Sequence, residues 1–307
     1  MRRWHLYVCL PIFGISVIFY HLVRIYQTFY YDHPPRILLE KDVLDLGYIN
    51  FTRTRIPRVI HQTYRTHDIP AIWNATVSSV MEKNMDTFKY RRWSHAEMHA
   101  FVKENEPIFY EKTYMKYPYD IQRFDSFRYV LMYYIGGIYI DMDNGCNHPF
   151  KYLVSTLESL EPNATHLVAF PQRESFGFDI DMIISSRGHP LFRHLISHLK
   201  QFNHYYIFHF WTILLSAGPL YASIQERLFT LPTEAVIFLL DYQFFRPMFI
   251  KKENGFTWIA KDAHYLFYFT AHLNEILFFS LIIILSALVF IYVKYYKLKR
   301  NRKVINT

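Results

Sequence analysis

Cysteine is almost absent from this chain: 307 residues include two, Cys9 and Cys146. A disulfide framework is thereby excluded as the source of stability, and a chain of this length buries enough core to do without one. Acidic residues are missing from both ends. Every Asp and Glu lies between Asp32 and Glu275, and residues 28–275 also hold 25 of the 34 Lys and Arg, a balance of −1. The formal net charge of +8 therefore belongs to the two ends. It reports membrane topology and gives no ground for a nucleic-acid partner. Long repeats and low-complexity tracts are absent too.

Two segments lack charge altogether, Trp4 to Val23 and Ile276 to Val293. Each approaches the roughly 20 residues that cross a hydrocarbon core. A cleaved signal peptide is the alternative for the first. Tyr20, Tyr26, Tyr30 and Tyr31 beyond it read as an interfacial belt rather than a small-residue cleavage site. Arg2 and Arg3 precede the first segment, and Lys294, Lys297, Lys299, Arg300, Arg302 and Lys303 follow the second. Basic flanks stay cytosolic, so both termini are expected there, with residues 28–275 on the lumenal side. The acceptor triplets Asn50-Phe-Thr52, Asn74-Ala-Thr76 and Asn163-Ala-Thr165 fall in that lumenal part. The resulting division is a cytosolic tip and span over 1–27, a stem over 28–55, a globular domain over 56–275, and a second span with basic tail over 276–307.

The domain opens at Ile56-Pro-Arg-Val-Ile-His-Gln-Thr63, where Val59 and Ile60 read as a buried strand ending at His61 and Gln62. Strand ends are where an open α/β sheet contacts ligands. Helical spacing over Trp73 to Met85, a strand at Tyr90 to Trp93, and a helix opened by the Ser94/Glu97 capping box continue an alternation. That alternation predicts an α/β sandwich with a mostly parallel sheet. From Gln201 to Gln225 no residue is charged. Gly218-Pro219 interrupts this stretch, so it is expected as a buried or membrane-lying helix rather than a third span.

The central stretch is Asp125 to Asp143. Phe127, Val130, Leu131 and Tyr134 form a helical stripe, Gly136 and Gly137 stop the helix, and Ile138 to Ile140 make a short strand running into Asp141 and Asp143. On extended backbone two carboxylates two residues apart project to one side, with Met142 pointing away. Paired carboxylates at a strand end suit Mg²⁺ or Mn²⁺ bridging phosphate oxygens. Asp125 and Arg128 share one helix face just upstream. On an open surface such a pair contributes under about 1 kcal/mol; beside a metal site it reads as part of a nucleotide pocket. Asn144-Gly145 reads as a turn, Leu167 to Phe170 as a strand, and Leu191 to Leu199 as an amphipathic helix after Gly188-His-Pro190.

Taken in order, Ile56-Pro-Arg-Val-Ile-His-Gln-Thr63, Asp125-x-x-Arg128, Gly136-Gly-Ile-Tyr-Ile-Asp-Met-Asp143, Gly188-His-Pro190 and Gly218-Pro219 resemble the glycosyltransferases of family 32, from about Ile56 to His264. A lone Asp-x-Asp is a weak signal; five motifs in order are a strong one. The resemblance implies a GT-A fold and retention of anomeric configuration. By the same resemblance, Asp141 and Asp143 hold metal and sugar diphosphate, Asp125 and Arg128 contact the donor sugar, and Tyr139 and His61 line the nucleotide pocket with Gln62 beside them. Two motifs depart from the family. Thr257-Trp258-Ile259 stands where members often carry Ser-Trp-His, leaving His264 as the substitute for a late metal or phosphate contact. Ile180-Asp181 replaces an expected Asn-Asp, which makes Asp181 the acceptor-side carboxylate and Asp179 the lesser one.

The members most alike in layout move mannose from GDP-mannose to inositol phosphorylceramide, with Mn²⁺ or Mg²⁺, in the Golgi membrane, and work with a regulatory membrane subunit. The endoplasmic reticulum and vacuole are alternative compartments. A mannosyltransferase acting on protein-linked glycans and a noncatalytic membrane subunit are the rival readings. The uncharged aromatic stretch from Tyr205 to Tyr221, with Phe208, Phe210 and Trp211, is expected to face the lipid acceptor.

Overall fold

The computed structural model describes residues 35–39, 42–43, 54–173, 177–252, 255 and 261–272, with isolated positions from 275 to 287. The expected span over 4–23 lies outside these residues, and that over 276–293 is described only at isolated positions. Among the described residues no helix is long and apolar enough to cross a membrane. The chain divides into two compact units, one running to 207 and resuming over 211–257, the other comprising 208–210 and residues from 258 onward. The second unit, which takes the last part of the expected 56–275 domain, carries one described helix, Lys261–Ala271.

The first unit is built on a seven-stranded sheet. Its strands are β1 (Arg36–Leu38), β2 (Val59–Thr63), β3 (Lys89–Trp93), β4 (Gly137–Ile140), β6 (His166–Pro171), β7 (Met182–Ser185) and β8 (Ala235–Leu240). They lie in the order β1-β8-β6-β7-β4-β2-β3. All neighbours are parallel except β7, which runs antiparallel to both β4 and β6. A two-stranded antiparallel ribbon pairs β5 (Asn144–Cys146) with β9 (Ile250–Lys252). Between the strands lie α1 (Asn74–Asn84), α2 (His95–Asn105), α3 (Pro107–Lys112), α4 (Asp120–Tyr134) and α5 (Phe150–Leu160). They continue with α6 (Pro190–Phe202), α7 (His209–Ser216), α8 (Pro219–Leu228) and α9 (Tyr242–Phe249).

Strand pleating divides the core in two. Ile138 and Ile140 of β4 pack with Ile60, Phe150, Leu153 and Phe238 on one face, while Tyr139 packs with Trp93, Phe127, Val130, Phe192 and Leu195 on the other. Each such side chain, fully buried, contributes about 1.5–3 kcal/mol against exposure, so helices are held on both faces and the sandwich expected from the alternation results. The Ser94 capping box forms as expected: Ser94 Oγ accepts from Glu97 N at 3.3 Å and Glu97 Oε2 accepts from Ser94 N at 2.7 Å. At the end of α4, Gly136 and Gly137 take φ of 73° and 97°. A Cβ on Gly137 would stand 2.5 Å from Val59 O, so only glycine lets β4 enter beside β2.

Three local expectations change. Arg36–Leu38, read as stem, is an edge strand parallel to β8. Asn144-Gly145, read as a turn, pairs with Lys252 and Lys251; such pairing with a distant segment leaves no periodic trace in the sequence. The uncharged stretch from 201 forms α7 and α8 broken at Gly218, with Ile213, Leu214 and Tyr221 buried and Tyr205, Ile207 and Phe208 exposed. The run expected to face lipid is therefore divided: Phe208 is exposed, Phe210 and Trp211 are half-buried, and residues from Thr212 on contribute to the core.

Candidate active site

The parallel strands β2, β4, β6 and β8 end at one edge of the sheet, and the antiparallel β7 begins there. Loops leaving β4, entering β7 and leaving β8 thus bring their side chains to one place. Asp141 and Asp143 follow β4, but not on extended backbone: the strand stops at Ile140, and Asn144 N donates to Asp141 O at 3.1 Å, closing a turn. Met142 is buried; the turn, rather than the pleat, carries the two carboxylates.

Arg128 braces this turn from α4. Buried beside Asp125, it places Nη2 3.0 Å from Asp141 Oδ1 and 3.5 Å from Asp125 Oδ1, and donates from Nη1 to Ile180 O at 2.9 Å. Its guanidinium lies 4.8 Å from the centre of the Tyr139 ring. The Tyr139 hydroxyl donates to Asp141 Oδ1 at 2.6 Å and lies 3.1 Å from Thr63 Oγ1. Burial pushes the Asp125 carboxyl up to about 6, with Arg128 opposing. Burial also pushes Asp141 up to about 7, Arg128 opposing and the Asp143 and Asp181 carboxylates adding to the rise. Burial would lower Arg128, but Asp141, Tyr139 and Asp125 together hold it above its ordinary value.

A second acidic pair faces the turn. Asp141 N donates to Asp181 O at 2.8 Å, tying the entry of β7 to the end of β4. Arg246 of α9 reaches Asp179 Oδ2 at 2.9 Å and Asp181 Oδ2 at 3.3 Å through Nη2. Arg173 Nε stands 3.7 Å from Asp179 Oδ1.

Asp125, Arg128, Tyr139, Asp141, Asp143, Asp181 and Gln62 all belong to this edge of the sheet. Gln62 supports the turn instead of facing a ligand: Nε2 donates to Asp141 O at 3.4 Å and Oε1 accepts from Tyr90 OH at 2.7 Å. His61 is completely buried, with Nδ1 accepting from Trp93 Nε1 and Nε2 donating to Gly136 O, each at 3.1 Å. Both nitrogens are taken up inside the protein, so the ring fixes β2 and does not line the nucleotide pocket. His264 lies exposed on the helix of the second unit. Thr257-Trp258-Ile259 is outside the described residues. Reasoning from sequence missed Thr63, Tyr90, Arg246 and Gly255. A Cβ on Gly255 would stand 2.0 Å from Asp143 Oδ2, so the Gly255 backbone lies directly against the second aspartate. Arg246 did carry a signal, as the lone basic residue of an apolar helix, but not its partners.

The donor set fits a divalent cation. Desolvation and the neighbouring Asp143 and Asp181 carboxylates disfavour the Asp141 anion in spite of Arg128, and added positive charge would relieve it. Asn144 Oδ1 is buried nearby without a hydrogen-bond partner. Among the described residues no three His, Cys, Asp or Glu form a complete cage; cations of this kind commonly take one or two carboxylates and complete their shell with substrate phosphate and water.

An α/β domain with an acidic, arginine-braced site at the carboxy ends of its parallel strands is of the class that binds phosphorylated ligands there. Residues 70–165 match the family model described as glycosyltransferase sugar-binding region containing DXD motif. Inositol phosphoceramide mannosyltransferase 1 of Schizosaccharomyces pombe is 30% identical over 305 residues, 96% of this chain and 92% of that one. Mannosyl phosphorylinositol ceramide synthase SUR1 of Saccharomyces cerevisiae is 31% identical over 218 residues, 68% of this chain and 53% of that one. The solved PaToxG Glycosyltransferase aligns with a TM-score of 0.41 and 15% identity, over 56% of this chain and 69% of that one. The chain belongs to this DXD-containing glycosyltransferase family, family 32, which implies a divalent metal and a nucleotide-sugar donor.

Proposed function

We propose that the protein is a retaining α-mannosyltransferase of GT-A type that moves mannose from GDP-mannose to inositol phosphorylceramide. The observation that carries the donor side is the buried Arg128, bridging Asp125, Asp141 and the Ile180 carbonyl next to Asp143. The similarity to the inositol phosphoceramide and mannosyl phosphorylinositol ceramide enzymes supports the acceptor. Asp141 and Asp143 would hold Mn²⁺ or Mg²⁺, which would supply Lewis-acid stabilisation of the departing diphosphate. Arg128 adds fixed positive charge to the same region, and its prior engagement with Asp141 means that it needs no reorganisation when charge develops. Tyr139 orients Asp141 through its hydroxyl. No carboxylate of the cluster is assigned as a nucleophile. The acceptor hydroxyl attacks from the face the diphosphate leaves, and a leaving phosphate oxygen takes its proton. Asp181 stands on the acceptor side.

The charge distribution supports a membrane protein with two spans, its catalytic domain lumenal and both termini cytosolic; the Golgi membrane is the compartment that the family resemblance implies. A lipid acceptor fits that placement, with Tyr205, Ile207 and Phe208 as the exposed apolar residues left to meet a leaflet; a regulatory membrane subunit is the expected partner. The test is transfer by full-length protein in detergent, with GDP-mannose or UDP-sugars, Mn²⁺ and inositol phosphorylceramide. GDP-mannose-dependent product that vanishes in Asp143→Ala, with an unchanged unfolding curve, is the expected result. Turnover retained by that variant, or product with UDP-sugars alone, overturns the reading.

A further inference from the structure

Asp141 is fixed to the sheet by Arg128, Tyr139 and the Asp181 carbonyl. The far side of the turn is fixed from another element. Met142 O, the carbonyl of the peptide that leads into Asp143, accepts from Thr76 Oγ1 at 2.6 Å at the start of α1. Both residues are buried, Thr76 completely. The hydroxyl has one proton and a second carbonyl in reach, Trp73 O at 2.8 Å in the first turn of the helix; the contact to Met142 is the shorter. Packing alone asks for no hydroxyl here, since Val77 and Val80 of the same helix are fully buried and apolar. A hydroxyl withdrawn from water is costly unless it is bonded, so the polar residue marks the partner it serves. Two more contacts follow the same pattern. Ser79 Oγ accepts from Cys146 N at 2.9 Å, and Asn84 Oδ1 accepts from Phe150 N at 2.8 Å. Ser79 Oγ in turn donates to Thr76 O at 2.7 Å. Thr76, Ser79 and Asn84 share one side of α1, and Met142, Cys146 and Phe150 recur every four residues along the segment they hold. Helix α1 thus supports the chain at three points from the turn to the start of α5.

We infer that Thr76 is a positioning residue of the metal turn: its hydroxyl holds the Met142 carbonyl and so sets the direction in which the Asp143 carboxylate leaves the backbone toward a divalent cation. This rests on the reading of Asp141 and Asp143 as metal ligands. The peptide between Met142 and Asp143 is planar, so fixing the carbonyl of the first residue fixes the nitrogen and Cα of the second. Only rotations within Asp143 itself then remain to aim its carboxylate. Asp141 keeps its own braces when Thr76 is altered, and the loss falls on Asp143. A cation shared by the two needs both in place at once, and partners that orient a ligand without touching the metal commonly govern its affinity.

The test uses full-length protein in detergent carrying Thr76→Val, Thr76→Ser, Thr76→Ala, Val77→Ala or Asn74→Gln. Three quantities are read: Mn²⁺ binding in the presence of GDP or UDP, followed by the electron paramagnetic resonance of the free ion; the Mn²⁺ concentration for half-maximal transfer to inositol phosphorylceramide; and urea unfolding. Thr76→Val keeps the branched shape and loses the hydroxyl. It should weaken Mn²⁺ binding and raise the half-maximal concentration by about 10-fold or more, with acceptor KM at saturating Mn²⁺ unchanged. Thr76→Ser keeps the hydroxyl and should bind Mn²⁺ as wild type does. Val77→Ala truncates a buried neighbour, lowering stability while leaving Mn²⁺ binding intact, which separates the hydroxyl from a weakened helix. Asn74→Gln removes the acceptor triplet that Thr76 completes and leaves Mn²⁺ binding intact. Thr76→Ala reads the same loss should the valine variant not fold. Wild-type Mn²⁺ affinity in folded Thr76→Val or Thr76→Ala protein, failure of Thr76→Ser to restore it, or an equal loss in Val77→Ala or Asn74→Gln overturns the proposal. A wild type that binds Mn²⁺ with the nucleotide yet transfers no mannose, its Thr76 variants ordered as above, counts against the proposed function alone; one that binds no Mn²⁺ overturns both.

Discussion

His61→Gln should change how stability depends on pH, in a direction fixed by the ring's two hydrogen bonds. Trp93 Nε1 donates to Nδ1 and Gly136 O receives Nε2–H, so the pocket accepts one neutral tautomer and has no acceptor for a second proton. Burial accordingly lowers the ring from 6.5 to about 4. Between those values the unfolded chain carries the additional proton. The contribution is complete above pH 6.5 and is lost as pH falls toward 4, at about 1.4 kcal/mol per pH unit and about 3 kcal/mol in all. Asp125, raised to about 6, acts with the opposite sign: the fold holds its proton over that range, a benefit present in acid and lost as pH rises through 6. Comparing wild type with His61→Gln cancels Asp125 and isolates the imidazole. Urea unfolding of the full-length protein, followed by tryptophan fluorescence from pH 4.5 to 7.5, gives the two curves. The wild-type advantage should shrink by about 1.4 kcal/mol per pH unit below pH 6. A pH-independent difference would refute the claim that the Trp93 and Gly136 contacts select the neutral ring.

Gly137→Ala must place a Cβ 2.5 Å from Val59 O at a φ of 97°; a loss of at least about 2 kcal/mol in urea unfolding is expected from backbone strain and displaced strand pairing. Ser94→Ala removes the acceptor for Glu97 N and should cost about 1 kcal/mol by the same measurement, with no change in KM for donor or acceptor. Gly255→Ala drives a methyl into Asp143 Oδ2; the Mn²⁺ concentration for half-maximal transfer should rise about 10-fold or more, and an unchanged metal requirement would count against Asp143 as a ligand.

Much of the site was legible because its parts are local. The stripe of Phe127, Val130 and Leu131, the Gly136-Gly137 stop and the short apolar run before Asp141 each announce an element by spacing alone. Asp125 and Arg128 followed from being three residues apart on one helix. What sequence did not reveal depends on pairing across the chain. The antiparallel direction of β7 looks no different from a parallel strand in three apolar residues and a serine. The ribbon of Asn144–Cys146 with Ile250–Lys252 joins two three-residue pieces without alternation. His61 and Gln62 sit at the strand end that the spacing predicted, yet their roles turn on Trp93, Gly136 and Tyr90, three partners that no local pattern names.

The antiparallel entry of β7 has a bearing on accuracy at the site. Strands β4 and β7 are short, and a slip of two residues between them keeps every buried side chain on its own face, so hydrophobic patterning tolerates an error that would shift Asp181 about 7 Å from Asp141. Such an error is blocked at the opposite end of the strands. There Gly137 pairs with Ser185, and a Cβ on Gly136 would meet Arg187 N at 2.6 Å and Ser185 O at 2.9 Å. Shifted by two, a residue bearing a side chain would have to occupy that closed space. The glycine pair thus works as a keyway, and the alignment of donor and acceptor carboxylates is decided about four residues away, among atoms that touch neither substrate.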